Sequence, residues 1–365
     1  SPKTGGSIPL TTIPDWPEDL LAWFDAEQRD MPWREVPSPY RIWISEIMLQ
    51  QTQVATVIPY FNRFMQQFPD LDTLANAEQS QVLKAWEGLG YYSRARNIQK
   101  AAKVLVSDYD SKLPETYEGL QELPGIGPYI AAAIASIAFG KAVPVVDGNV
   151  LRVMTRYWGL WDDITQGKTR TLIFDSLGPH VPLDRPGDFN QALMELGALI
   201  CRPQSPSCET CPLQSSCVAH RDSLQSDLPV KKKKAPVPTH QIGVALIVHE
   251  GKVWIQQRKE TQMLGGLWEF PGGKQEKGED IEATVSREVK EETGFDVQGL
   301  EHLATVDHAY SHFKIQMHAY ICRLVSGSTV DGQHWNGRWV SKADLADYAF
   351  PKANKVVIDA FITQE

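Results

Sequence analysis

Apolar residues recur three and four positions apart early in the chain, in Leu20-Leu21-Phe24, Ile44-Ile47-Met48 and Val82-Leu83-Trp86, which is the period of one face of an α-helix. The pattern holds to about Phe139 and returns around 152–156, 171–177 and 190–201. It predicts that the first 220 residues are all helical. Between 222 and 239 the periodicity stops. Ser, Asp and Pro residues, the run Lys231-Lys232-Lys233-Lys234 and an Ala-Pro-Val-Pro stretch read as a solvated linker. After Gln241 the period changes again. A run at 242–248, a Glu250-Gly251 turn and a run at 253–255 predict a strand hairpin, and a further strand at 313–324 and a terminal helix from Lys352 follow. The expected organisation is an all-helical domain over 8–221, a linker over 222–239 and an α+β domain over 240–365.

Length and composition sharpen this picture only by exclusion. The 365 residues suffice for two or three domains, and 42% apolar with 22% charged residues is globular composition, which excludes a disordered or collagenous chain. No window approaches the roughly 18 apolar residues that a membrane span needs. The stretch 1–10 lacks the order of a signal peptide. The expectation is a cytoplasmic protein, nucleoid-associated if bacterial, monomeric and without a membrane partner. Charge argues mildly against nucleic acid: the net charge is −9, split −4 up to Lys234 and −5 after it. A DNA partner must therefore rest on local groups.

Those local groups exist. Cys201, Cys208, Cys211 and Cys217 stand in a C-x6-C-x2-C-x5-C spacing, while Cys322 is alone and reads as a small buried hydrophobe. Disulfides are the weaker account in a chain without secretory signals, and structural zinc usually shows paired C-x2-C knuckles or histidines. The spacing resembles the C-terminal cluster loop of the helix-hairpin-helix DNA glycosylases, which implies a 4Fe-4S cluster held by four thiolates. Leu123-Pro-Gly-Ile-Gly-Pro-Tyr129 opens a helix of small residues. Gly125 and Gly127 would allow a tight hairpin whose amides approach a DNA phosphate. Twenty residues past Gly127 comes Val145-Val-Asp-Gly-Asn-Val150. Together with the hairpin and the cysteines, it resembles the aspartate-bearing glycosylases of that superfamily. The resemblance implies that Asp147 faces the deoxyribose, with Asn149 bonded to it; capping a helix that starts near Asn149 is the bland reading of Asp147.

In lyase relatives a lysine nucleophile stands where this chain has Tyr129, so the closer resemblance is to the monofunctional adenine DNA glycosylases of the MutY type. The segments Trp43-Ile-Ser-Glu-Ile-Met-Leu-Gln-Gln-Thr52 and Glu87-Gly-Leu-Gly-Tyr-Tyr-Ser-Arg-Ala-Arg96 carry it further. On a helix, Ile42 and Leu49 put Glu46 on an apolar stripe, where burial would raise its pKa. A protonated Glu46 suits depurination, because adenine leaves readily only after N7 gains a proton. An ionised Asp147 would stabilise the oxocarbenium-like sugar or bond to it transiently. Tyr129 would orient Asp147 or the intermediate. Flipping a base also demands a wedge and a pocket. The resemblance matches Gln51, Thr52, Leu89 and Tyr91 to contacts beside the mispair, and Trp33, Arg34 and Leu49 to the adenine pocket.

The second domain carries Gly273-x5-Glu279-x7-Arg287-Glu288-Val-Lys-Glu291-Glu292-Thr-Gly294-Phe295, which resembles the Nudix box at every fixed position. Glu288, Glu291 and Glu292 would share a helix face, so a magnesium site there is one expectation and a solvated acidic helix the other. In the adenine glycosylases this domain reads 8-oxoguanine in DNA. His308-Ala-Tyr-Ser-His312 resembles its Phe-Ser-His tip, with Tyr310 in place of Phe, Ser311 at the lesion edge and His312 in support. The expected function is excision of adenine opposite 8-oxoguanine or guanine. A bifunctional lyase and a Nudix nucleotide hydrolase tethered to a DNA-binding module are the alternatives.

Overall fold

A computed structural model describes residues 15–233, 235–328 and 335–364. The start of the expected first domain at residue 8, and Lys234 of the lysine run, lie outside the described residues. The chain divides into two compact units, Ser1–Asn76 with Lys100–Lys234, and Ala77–Gln99 with Ala235–Glu365. No helix among the described residues is long and apolar enough to cross a membrane.

The first unit is helical. Its core joins distant stretches of chain: Trp16, Leu20 and Phe24 of the helix Trp16–Glu27 pack against Val150, Met154 and Tyr157 of Gly148–Trp158, and against Phe189, Leu193 and Leu196 of Pro186–Leu199. The helix Pro128–Ile137, which opens the small-residue run, is buried along nearly its whole length. Its slimness lets a neighbour approach to backbone distance: a Cβ on Gly187 would lie 2.7 Å from the Ile137 Cα and 2.8 Å from the Ser136 carbonyl. Part of the expected linker belongs to this unit's packing. Leu228 is buried, its carbonyl accepts from Arg156 Nε at 2.8 Å, and the Val230 carbonyl accepts from the Ile164 amide. A prolyl, polar stretch is thus held down because its backbone serves a buried guanidinium.

The second unit is built on a sheet of β1 (Thr239–His249), β2 (Lys252–Gln257), β3 (Trp268–Glu269), β4 (Gly272–Lys274), β5 (Asp296–Ala309), β6 (Lys314–Ser326) and β7 (Trp335–Val340). The order is β3-β2-β1-β6-β5, with β4 beside β1 and β7 beside β2. β1 runs parallel to β6, Ile242 opposite Met317, and turns into β2 through Glu250 and Gly251, both at positive φ, as a two-residue hairpin requires. β1 is covered on both faces, which explains its unbroken apolar run. Val244 and Leu246 meet Val357 and Phe361 of the helix Lys352–Thr363, while Ala245 and Ile247 meet Val285 and Val289 of Ile281–Thr293.

Residues 77–99 belong to this second unit although the chain pattern sets them among the helices of the first. The link is a buried acid: Glu87 accepts from the Phe350 amide at 3.1 Å and pairs with Lys355 at 2.7 Å and Lys84 at 3.1 Å. Tyr92 donates to the Phe350 carbonyl, and Arg96 to that of Gly265.

Replacing Gly187 by Ala forces a methyl into the Ile137 backbone and should cost about 1–3 kcal/mol. Urea unfolding should show a lower midpoint with unchanged slope; an unmoved midpoint would show that the contact gives way freely.

Candidate active site

Three elements of the first unit deliver one cluster. Glu46 sits in the helix Pro39–Leu49, whose first turn is capped by Ser38. The apolar stripe of Ile42, Trp43, Ile47 and Met48 buries the carboxyl to 5% exposure. Tyr129, in the first turn of Pro128–Ile137, donates its phenol hydrogen to Glu46 Oε2 at 3.0 Å. Asp147 caps Gly148–Trp158: Oδ1 accepts from the Val150 amide at 2.8 Å and Oδ2 from Asn149 Nδ2 at 3.2 Å. Capping and site membership therefore coexist in one residue. The phenol bond goes to Glu46 rather than to Asp147, although the Asp147 charge is felt at Tyr129.

The two acids sit in unlike surroundings. Burial pushes Glu46 up to about 7, against the pull of the Tyr129 hydrogen bond, with Asp147 raising it further and Arg34 lowering it. Burial also raises Asp147 from its ordinary value, but there the Val150 amide, the Asn149 amide and Arg152 favour the charged form.

Residues that the sequence pattern left unremarked support this cluster. Asn190, fully buried, accepts from the Val145 amide at 3.0 Å and donates to the Val143 carbonyl and Ser136, which pins the strand of chain leading to Asp147. Arg152 donates to Asn149 Oδ1 at 2.9 Å and to the Cys201 carbonyl at 2.8 Å, so Asp147, Asn149, Arg152 and the first cysteine form one hydrogen-bonded series. Only long-range partners reveal these residues.

Of the expected pocket residues, Leu49 lies one turn from Glu46, Trp33 is buried edge-on against Phe61, and Arg34 is held by Glu195 at 2.6 Å. Gln51 is exposed in the loop after the Glu46 helix, at φ +59°, and Thr52 is half-buried beside it. Gly125 has φ +74°. Gly127 does not need its missing side chain for packing, since a Cβ there would meet open space, so the room it leaves lies outside the fold.

The four cysteines line one pocket with Arg156, Gln214 and His220. Arg156 Nη1 reaches Cys201 Sγ at 3.4 Å, and Gln225 Nε2 reaches Cys208 Sγ at 3.5 Å. Burial pushes the Cys211 thiol up to about 12 and raises Cys217, so ligation there would release protons. Among the described residues no three Cys, His, Asp or Glu donors converge as ligands of one ion do. Four sulfurs around a shared void suit a larger, polynuclear group.

In the second unit, Tyr91 is 48% exposed at φ +49° and its hydroxyl lies 3.3 Å from that of Ser311. Leu89 is buried, so any role against DNA would require it to leave its packing. Ser311 and His312 are exposed at the β5–β6 hairpin tip, closed by the Tyr310 amide on the Phe313 carbonyl, while Tyr310 packs inward on Phe313 and His308. The Nudix-box acids are engaged by protein groups. Arg287 holds Glu279 at 2.7 Å, Glu288 at 2.8 Å and Glu291 at 3.3 Å, and Glu292 accepts from the Gly272 amide and Gln256. Among the described residues no three of these carboxylates converge as ligands of one ion do.

Residues 44–178 match the profile of the HhH-GPD superfamily of base excision DNA repair proteins, and 243–360 that of the NUDIX domain. A thermostable thymine-DNA glycosylase of known structure aligns over 57% of this chain and 95% of its own at 29% identity, TM-score 0.52. Endonuclease III in a trapped covalent DNA intermediate aligns over the same shares at 22%, TM-score 0.50, a likeness of fold. Helices, hairpin and acid pair thus define a base excision repair glycosylase with an appended Nudix-like domain. Adenine DNA glycosylases match along nearly the whole chain: that of Rattus norvegicus is 34% identical over 94% of this chain and 77% of its own, and that of Buchnera aphidicola (subsp. Schizaphis graminum) 31% over 94% and 97%. This chain belongs to the adenine DNA glycosylases, enzymes that excise adenine in base excision repair.

Replacing Asn190 by Ala strands the Val145 amide and the Val143 carbonyl, at a cost of about 2–4 kcal/mol. Thermal unfolding should show the loss; a melting point within 1–2 °C of the parent, on the order of 0.5 kcal/mol, would remove Asn190 from the support of Asp147.

Proposed function

We propose that this chain is a monofunctional glycosylase for adenine mispaired with 8-oxoguanine in duplex DNA. The observation that carries the chemistry is the Glu46–Tyr129–Asp147 cluster, with an acid poised near neutrality beside a second one that is hydrogen-bonded as an anion. Protonated Glu46 gives its proton to adenine N7, and the bond from C1′ to N9 breaks with its electron pair leaving on the purine. Asp147, ionised, stabilises the oxocarbenium-like sugar or bonds to C1′ transiently. Water then adds to C1′ and its proton returns to Glu46. Tyr129 carries no amine, so no Schiff base with the sugar forms.

The remaining assignments follow the same reading. Trp33, Arg34 and Leu49 receive the extruded base; Gly125 and Gly127 offer their amides to the backbone; Gln51, Thr52, Leu89 and Tyr91 fill and flank the gap. Cys201, Cys208, Cys211 and Cys217 hold a 4Fe-4S cluster, which when bound supplies four metal–thiolate bonds that tie the loop 201–217 together. Ser311, backed by His312 and Tyr310, reads the lesion. Two exposed hydroxyls, of Tyr91 and Ser311, support a polar reading edge on the second unit.

The sign of the pH dependence follows from the two acids. Glu46 must hold its proton, so the rate is lost as pH rises through about 7; Asp147 must lose its proton, so the rate also falls as pH drops through the Asp147 value, which burial raises. Single-turnover excision from a duplex with A opposite 8-oxoguanine should follow that bell. Glu46→Gln should slow it on the order of 10²–10⁴-fold while the duplex still binds. A flat profile above pH 7, or an active Glu46→Gln protein, would refute the assignment. Replacing Ser311 and His312 by Ala together should weaken the preference for 8-oxoguanine over guanine by roughly tenfold, about 1.4 kcal/mol, and leave excision itself; an unchanged preference removes the hairpin from lesion reading.

A further inference from the structure

Between the helices Gln79–Ala85 and Ser93–Asp108 the chain makes a turn that ordinary side chains resist. Gly88, Gly90 and Tyr91 take φ of +95°, +76° and +49°, in the left-handed region that favours glycine. At Gly90 the conformation alone asks for glycine, since a Cβ there would meet nothing within 4 Å. Tyr91 accepts the same kind of backbone with a side chain attached, and its ring is 48% exposed. A residue stays in such a conformation only where its surroundings over-determine it.

Arg94 supplies much of that hold. It sits half-buried in the first turn of Ser93–Asp108 and folds back over the residues before it. Its Nη2 donates to the Gly90 carbonyl at 3.2 Å and its Nε to the Tyr91 carbonyl at 3.4 Å, while its backbone amide donates to that same Tyr91 carbonyl at 3.0 Å. The Gly90 carbonyl also accepts from Nε1 of the fully buried Trp86 at 3.2 Å. The guanidinium carbon lies 5.3 Å from the centre of the Trp86 ring and 5.6 Å from that of Tyr91, so one cation bridges an anchored ring and an exposed one. At the far end of the Tyr91 ring, its hydroxyl stands 3.3 Å from the hydroxyl of Ser311. The exposed aromatic is gripped at its backbone, its face and its tip.

The carbonyl bonds suffice to close the turn. The contact with the face of an exposed ring serves something else, and a ring that must enter a duplex is such a case, because immobilising a free side chain at the moment of binding costs affinity. We propose that Arg94 is a positioning residue for mispair recognition: it holds Tyr91 in the pose in which the ring meets the opened base stack, a role that rests on the reading of Tyr91 as a residue beside the mispair. A planar guanidinium suits this work, since its fork reaches two carbonyls while its face lies against rings.

The test is equilibrium binding of the whole protein to a duplex with 2′-fluoro-adenosine opposite 8-oxoguanine, in which the fluorine blocks excision by disfavouring the oxocarbenium-like sugar. Arg94→Gln should weaken binding about three- to tenfold, the cost of ordering one freed side chain. In a Tyr91→Ala background the same change should matter less than about twofold, because the ring through which Arg94 acts is gone. Arg94→Lys should bind as weakly as Arg94→Gln, since an ammonium keeps the charge but not the fork, whereas a direct phosphate contact would be restored by it. A folded Arg94→Gln protein at parent affinity overturns the proposal. So does an Arg94 effect that persists without the ring, as a role in folding the turn would give, or rescue by Lys. Should Arg94→Gln fail to fold, Arg94→Lys with and without Tyr91→Ala decides by the same comparison. The underlying reading fails differently: Tyr91→Ala alone would then bind at parent affinity, and the role of Arg94 would fall with it.

Discussion

Keeping one carboxyl away from water without giving it a cation is the constraint that the helical unit meets. Glu46 has an ordinary value of 4.5 and stands at about 7 in the fold. Above pH 7 that difference costs the native state roughly 3 kcal/mol, since the unfolded chain ionises the same group freely. The penalty is absent below about pH 4.5 and grows as pH rises to 7. A core of tryptophans, phenylalanines and slim helices is what allows it. The buried Ile42, Trp43, Ile47 and Met48 of its own helix supply that apolar shelter.

That arrangement was partly visible in the chain. Ile42, Ile47 and Leu49 around Glu46 announced a buried face, and Asp147 was readable as a helix cap, whereas the Ser38 cap of the Glu46 helix emerged from the structure. The missing lysine at Tyr129 was equally plain. Asn190, Arg152 and Glu195 were not, because each is tied to residues 45 to 166 positions away, and nothing in its own neighbourhood marks it. The same limit explains the second unit. β1 and β6 declared themselves as apolar runs, whereas β5 alternates irregularly, its register shifting at three places against β6, and so carried no clean period. Residues 77–99 have helical spacing like their neighbours, and only the buried partners of Glu87 show where they pack.

The acidic helix of the second unit is instructive in another way. Three crowded glutamates read as a call for a divalent ion because like charges must be offset by something. In this fold Arg287 does much of the offsetting, bridging Glu279, Glu288 and Glu291, while Glu292 caps the Gly272 amide. A guanidinium with five donors fans out across a helix turn as a point charge cannot. Tyr310 follows the same logic of local supply, as its ring is used for packing against Phe313 and His308, and the hairpin tip is left to Ser311 and His312.

Glu87 has a consequence that chain order conceals. Because its carboxylate is satisfied by Lys84 within its own stretch and by Phe350 and Lys355 near the far end of the polypeptide, the span 77–99 and the sheet form one cooperative body. Synthesis from the amino end therefore produces that span about 260 residues before the Phe350 amide and Lys355 that complete the shell of Glu87. Until Phe350 and Lys355 emerge, a nascent chain must carry Trp86, Leu83 and Glu87 without their final surroundings, so the span 77–99 and the sheet mature together.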